Sequence, residues 1–198
     1  MQIKSAIIVS LLLAVPALSA AQNLTLEGLG PGNAYNLTYN GSTEDAFVGE
    51  LLFSVNNSAT LVPTYCVDLD HFITTGQSFN TTAIQTDTLP SSNAYALAGD
   101  ILNAGVATAT DNNHAAALQI AIWTAIYGNQ FSLSGVSSTV EGYEQAYYSA
   151  GLSTKSNALY YNAGASGGQS QITTTPEPTS LAVLGIGCVG LFVRRKKA

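Results

Sequence analysis

The sequence predicts an α+β protein: a β-barrel or β-sandwich with a helical lobe, followed by a single C-terminal transmembrane helix. Three observations carry this. Short runs of alternating apolar residues, divided by turn signals such as Pro31-Gly32, Asn40-Gly41 and Asn56-Asn57, occupy the first half of the chain. Helical apolar spacing then dominates from Asn93 to Gly151. Finally, the apolar stretch Leu181 to Val193 is closed by Arg194-Arg195-Lys196-Lys197.

The elements follow in order. Lys4, the apolar run Ile7 to Val15 and the small residues Ala17, Ser19, Ala20 and Ala21 form the n-region, h-region and cleavage site of a signal peptide at 1–21. That apolar run is too short to span a bilayer as an anchor. Strands are expected at Leu24 to Leu26, Ala34 to Tyr39, Ala46 to Val55, Ala59 to Leu69 and Ser78 to Ile84. Helices are expected at Asn93 to Leu102, Asn112 to Tyr127 and Val140 to Gly151, the middle one capped by Asp111 and stopped at Gly128. Residues 22–161 make one domain without an internal repeat. Residues 162–175, rich in Gly, Ser, Gln and Thr, read as a flexible linker.

Charge narrows the function. Between the two ends lies a single basic residue, Lys155, against eleven carboxylates from Glu27 to Glu144, which leaves that body near −10. Phosphate backbones need clustered Lys and Arg, so nucleic acid is excluded as a partner, and an anionic membrane surface is a poor one. The second cysteine, Cys188, sits in the apolar tail and cannot pair with Cys66, so no disulfide framework exists.

A lone cysteine in an exported domain calls for a reason, because an oxidising compartment makes free thiols a liability. In the alternating segment around Tyr65-Cys66-Val67-Asp68, Cys66 falls with Asp68 and Asp70 on the face opposite Tyr65, Val67 and Leu69. Neighbouring carboxylates disfavour a thiolate, and His71 lies on the other face, so a cysteine protease is not expected. Gln119 is unusual in a complementary way. Between Ala115 and Ile126 only Gln119 and Thr124 are polar, and Gln119 shares its stripe with Ile122, Trp123 and Ile126, so its amide is expected to be buried. A core glutamine bonded to backbone and a chemically used glutamine are both compatible with that position.

Tyr65-Cys66-Val67-Asp68 on a strand and Gln119-Ile120-Ala121-Ile122-Trp123 on a helix together resemble the bacterial surface thioester domains. The resemblance covers about residues 50 to 130. It implies an intramolecular thioester between Cys66 and Gln119, supported by Tyr65, Asp68 and Trp123. It also implies attack on that bond by an extracellular amine or hydroxyl, borne on a surface or polysaccharide. The tail Pro176-Glu177-Pro178, the apolar stretch and Arg194-Arg195 resemble the PEP-CTERM sorting signal over 176–198. This implies an exosortase-type processing enzyme as partner, membrane contact through the C-terminal helix before processing, and final residence on the cell surface or in the matrix of a Gram-negative bacterium. The basic cluster stays cytoplasmic by the positive-inside rule, placing 22–175 outside.

Three function classes follow: a covalent adhesin or matrix crosslinker, a non-covalent structural protein of an exopolysaccharide matrix, and a secreted hydrolase using Asp68, Asp70, His71 or His114. The last lacks any nucleophile or metal-spacing motif, and Asp68-x-Asp70-His71 reads as solvated strand carboxylates rather than a metal site. The chain is expected to be no enzyme and to need no cofactor or metal.

Overall fold

The computed structural model describes residues 21–175. The sorting residues Pro176, Glu177, Pro178, Arg194 and Arg195, the C-terminal apolar stretch and the signal peptide up to residue 20 lie outside them. Among the described residues, no helix is long and apolar enough to cross a membrane.

Seven strands and three helices follow one another as β1 (Ala21–Tyr39), β2 (Ser42–Val55), β3 (Leu61–Cys66), β4 (Ser78–Gln85), α1 (Ala94–Gly105), α2 (Asn112–Tyr127), β5 (Phe131–Ser134), α3 (Ser138–Ser153), β6 (Ala158–Asn162) and β7 (Gln171–Thr174). The strands pair antiparallel in the order β2-β3-β7-β6-β4-β1-β5, and β1 also pairs with β2. That extra pairing closes six strands into a ring, so the barrel alternative holds over the sandwich. β1 makes the closure possible through its length. Its first residues, Ala21 to Thr25, pair with β4, most of its length pairs with β2, and Asn36 to Tyr39 pair with β5. Closure leaves few unpaired edges to recruit another chain.

The strands expected at Leu24 to Leu26 and Ala34 to Tyr39 are therefore one. Pro31-Gly32, expected as a turn, belongs to an irregularity in this strand. Leu26 pairs with Phe53 but Gly28 with Leu52, and Leu29 pairs with Leu51 but Gly32 with Gly49. Each step inserts one extra residue in β1, the arithmetic of a β-bulge, which bends the strand so that it can serve two neighbours. Asn40 and Gly41, with φ of 50° and 80°, make the two-residue hairpin into β2 that their sequence predicts.

The strand expected at Ala59 to Leu69 is β3 and ends early, at Cys66. The Asp68 carboxylate accepts from the Asp70 amide at 3.0 Å, an Asx turn that takes the chain out of the ladder. β5, β6 and β7 were not expected at all. β7 and the segment before it overturn the reading of 162–175 as a flexible linker. β7 lies between β3 and β6, and Gln169, Ser170, Gln171 and Thr173 are buried. Their polarity is used internally: Thr64 Oγ1 donates to Gln171 Oε1 at 3.0 Å, and Thr173 Oγ1 to the Pro63 carbonyl at 2.7 Å.

The helices form the expected lobe. The α2 bounds are those predicted, with Asp111 Oδ1 accepting from the amides of Asn113 and His114 at 2.9 and 3.0 Å, and Gly128 at φ 59° ending the helix. Ala115, Ala116, Ala117, Leu118, Ala121 and Ile122 are each fully buried, so α2 is enclosed on nearly every side, between α1, α3 and the barrel strands β1 and β2. Burial of its Leu and Ile side chains stabilises the junction by about 1.5–3 kcal/mol each. That rigid seat positions everything α2 carries.

Candidate functional site

Cys66 is the last residue of β3 and Gln119 lies in the second turn of α2, fifty-three positions later. The helix lies against the strand end so that the Gln119 side chain pairs with the Cys66 main chain on both sides. The Cys66 amide donates to Gln119 Oε1 at 2.8 Å, and Gln119 Nε2 donates to the Cys66 carbonyl at 2.7 Å. Cys66 is 5% and Gln119 1% exposed. The expectation that Cys66 stands on a non-apolar face is thus corrected. The chain leaving β3 folds over it, and α2 covers it from the other side.

The thiol is held in a tight local turn. Sγ donates to the Asp68 carbonyl at 3.0 Å and accepts from the Asp68 amide at 3.3 Å. Burial is the main cause that pushes the Cys66 pKa up to about 12. The nearby Asp68 carboxylate adds to the rise, while the hydrogen bond to the Asp68 backbone and the nearby Trp123 indole oppose it. At neutral pH the sulfur is a neutral thiol.

Cys66, Asp68, Gln119 and Trp123 line one cavity of about 150 Å³, with Gln169, Gly49, Leu51 and Leu26 among the walls. Leu29 and Phe72, two large apolar side chains more than half exposed, also line it, and so does exposed Asp45. Tyr65 is not among the lining residues. It stands opposite Glu50 in the β2–β3 register, 1% exposed, with its hydroxyl buried and without a partner among the described residues; burial raises its pKa. Its role is in the core beneath the site.

Asp68 organises the loop after Cys66. Besides the Asp70 amide, its carboxylate meets His71 Nδ1 at 2.9 Å and accepts from the Ser170 amide at 3.3 Å. This use differs from the expected solvated carboxylate. Neither His71 nor His114 lines the cavity. His114 is paired with Asp111 at 2.8 Å and stacked on Tyr143. Among the described residues, no group of three or more His, Cys, Asp or Glu is placed to hold a metal ion.

Two contributors escaped the sequence reading. Tyr127, the last residue of α2, accepts from the Leu69 amide at 3.0 Å and donates to the Val67 carbonyl at 3.2 Å, fastening the loop to the helix that carries Gln119. Its spacing of eight from Gln119, on the same helix face, was a usable signal. Gln169 donates to the His71 carbonyl at 2.7 Å from the segment before β7. Nothing in its polar surroundings marked it.

The fold is similar to that of the thioester domain of the Staphylococcus aureus TIE protein, with a TM-score of 0.50 over 79% of this chain and 94% of that one. Sequence identity is 12%, so the likeness is one of fold. No curated protein sequence matches the chain. Residues 174–197 match the PEP-CTERM protein-sorting motif, a signal that implies an exported protein, sorted via the membrane in Gram-negative bacteria and processed by an exosortase.

Proposed function

We propose that this chain is a surface or matrix protein that attaches covalently to extracellular nucleophiles through a thioester between Cys66 and Gln119. The observation that carries the reading is the reciprocal pairing of the Gln119 amide with the Cys66 main chain inside a shared cavity. In the bond-forming step, Sγ attacks Gln119 Cδ, the carbon–sulfur bond forms, and the amide nitrogen leaves as ammonia after taking the thiol proton. The Cys66 amide already donates to Oε1, the atom on which negative charge develops, so an oxyanion donor is in place before reaction. The scarcity of thiolate makes this a single slow maturation event, not turnover. An incoming amine or hydroxyl then attacks Cδ, forming an amide or ester and freeing the thiol. No residue is regenerated for a second round, so the protein acts as a harpoon and not as an enzyme.

A second reading has one observation in its favour. Both polar atoms of Gln119 are already bonded to backbone, which is how an ordinary core glutamine is satisfied. In that case the chain is a non-covalent structural protein of the exopolysaccharide matrix. Intact mass separates the two. The thioester reading expects the purified exported domain to be one ammonia lighter than its sequence, the Cys66→Ala and Gln119→Ala variants each to have the full mass of their own sequence, and methylamine to add to the parent only. A parent of full sequence mass with a titratable thiol supports the non-covalent reading instead.

A further inference from the structure

Among the described residues, three buried side-chain polar atoms have no hydrogen-bond partner: Tyr65 Oη, Trp123 Nε1 and Thr175 Oγ1. A buried donor without an acceptor costs free energy in the resting protein, and such a group invites a functional explanation. Of the three residues, only Trp123 lines the cavity that holds Cys66 and Gln119. It follows Gln119 by four positions on α2, one turn along the same face. The indole is 2% exposed and fixed edge-to-face against Phe131, with ring centroids 5.8 Å apart.

We propose that the Trp123 indole N–H is a catalytic donor to the leaving sulfur when the thioester is opened. The assignment rests on the thioester reading above. As the nucleophile nitrogen bonds to Gln119 Cδ, the carbon–sulfur bond breaks and the sulfur departs with the electron pair. The proton released by the new ammonium then passes to the sulfur. During departure the negative charge is confined to a buried atom whose one main-chain donor is the Asp68 amide, at the long distance of 3.3 Å. Burial disfavours negative charge on that sulfur, and the Trp123 indole favours the charged form. A second N–H that finds its acceptor only once charge appears on sulfur stabilises the transition state more than the ground state. The unpaired donor of the resting protein is thereby explained.

Trp123 is the only tryptophan in the chain, so biosynthetic replacement of tryptophan alters this position alone. Substitution by 3-benzothienylalanine puts sulfur in place of the N–H and keeps the ring shape, while 5-fluorotryptophan keeps the N–H and makes it more acidic. Opening by methylamine, followed by mass, should be about tenfold slower in the first, corresponding to about 1.4 kcal/mol, and faster than the parent in the second. A separate arm uses Gln119→Ala, which has no thioester to form. There, benzothienylalanine should move the pH profile of Cys66 alkylation to higher pH, an effect that altered packing alone does not require. Unchanged opening rates with both analogues in a parent that lacks its ammonia, or an unchanged alkylation profile, overturn the assignment. A parent of full mass refutes the thioester reading instead, while the alkylation arm still reads the contact between the indole and sulfur.

Discussion

Cys66 is governed by burial more than by its neighbours in sequence. Adjacent carboxylates were reason enough to expect a disfavoured thiolate, but the larger cause is the cover supplied by α2 and by the loop that Asp68 folds over the sulfur. This has a consequence for any form with an open thiol. The thiol ionises near 9.0 when exposed and near 12 when folded, so between those values the unfolded chain loses its proton first. Stability from this group is then complete below pH 9 and falls as pH rises toward 12. Gln119→Ala should lose about 1.4 kcal/mol between pH 8 and pH 10 relative to the Cys66→Ala, Gln119→Ala double variant. Urea unfolding at the two pH values checks it, and parallel stability in the two variants contradicts the buried, protonated thiol. What the sequence could show at this scale was the chemical oddity of Cys66 and of Gln119. It could not show the bidentate pairing to the Cys66 main chain, because that depends on how α2 is seated.

At the scale of elements, legibility followed periodicity. α2 has a cap residue, a long apolar pattern and a terminal Gly, and its bounds are those predicted. β7 has four residues, of which only Ile172 is large and apolar, and its stability comes from pairing with β3 and β6 together with buried polar bonds. Composition alone assigns such a segment to a linker, since Thr64, which donates to Gln171 Oε1, and Pro63, whose carbonyl accepts from Thr173, lie more than one hundred residues away. β1 was divided at Pro31-Gly32 for a related reason: turn residues also make bulges. The bulge next to the cavity depends on close approach of two backbones. A Cβ on Gly49 would collide with the Pro31 carbonyl oxygen and with Gly32, and Gly49 sits at a φ of 156°. Gly49→Ala should therefore destabilise by more than about 1 kcal/mol. That amount lowers Tm by roughly 2–4 °C in a chain of this size, and an unchanged Tm in a thermal melt would count against the tight crossing.

For the whole molecule, the closed ring of strands and the sorting motif meet at one point. The motif begins at residue 174, the last residue of β7, and Pro176-Glu177-Pro178 follows after Thr175 alone. Processing near that tripeptide therefore leaves almost no chain between the cut and a strand that lies inside the barrel. The fold must be complete without the tail, yet it cannot spare the residues just before it. Loss of the chain after Asn162 would leave β3 and β6 each with one neighbour in place of two, strip Thr64 of its Gln171 partner, and remove the main-chain bond by which the Val67 amide donates to the Ser170 carbonyl at 3.0 Å beside Cys66. A chain ending at Thr175 should keep the circular dichroism and melting behaviour of the longer exported domain, together with its intact-mass signature. A chain ending at Asn162 should lose cooperative unfolding, and with it the geometry that holds Gln119 against Cys66. The thioester, where formed, closes a loop of 53 residues and adds about 4 kcal/mol if it acts like a disulfide of equal span, so the comparison is best made in the Cys66→Ala background. Without that bond to mask the loss, equal stability of the two truncated chains would show that β7 is dispensable to the barrel, and the segment before the sorting motif would then be a tether after all.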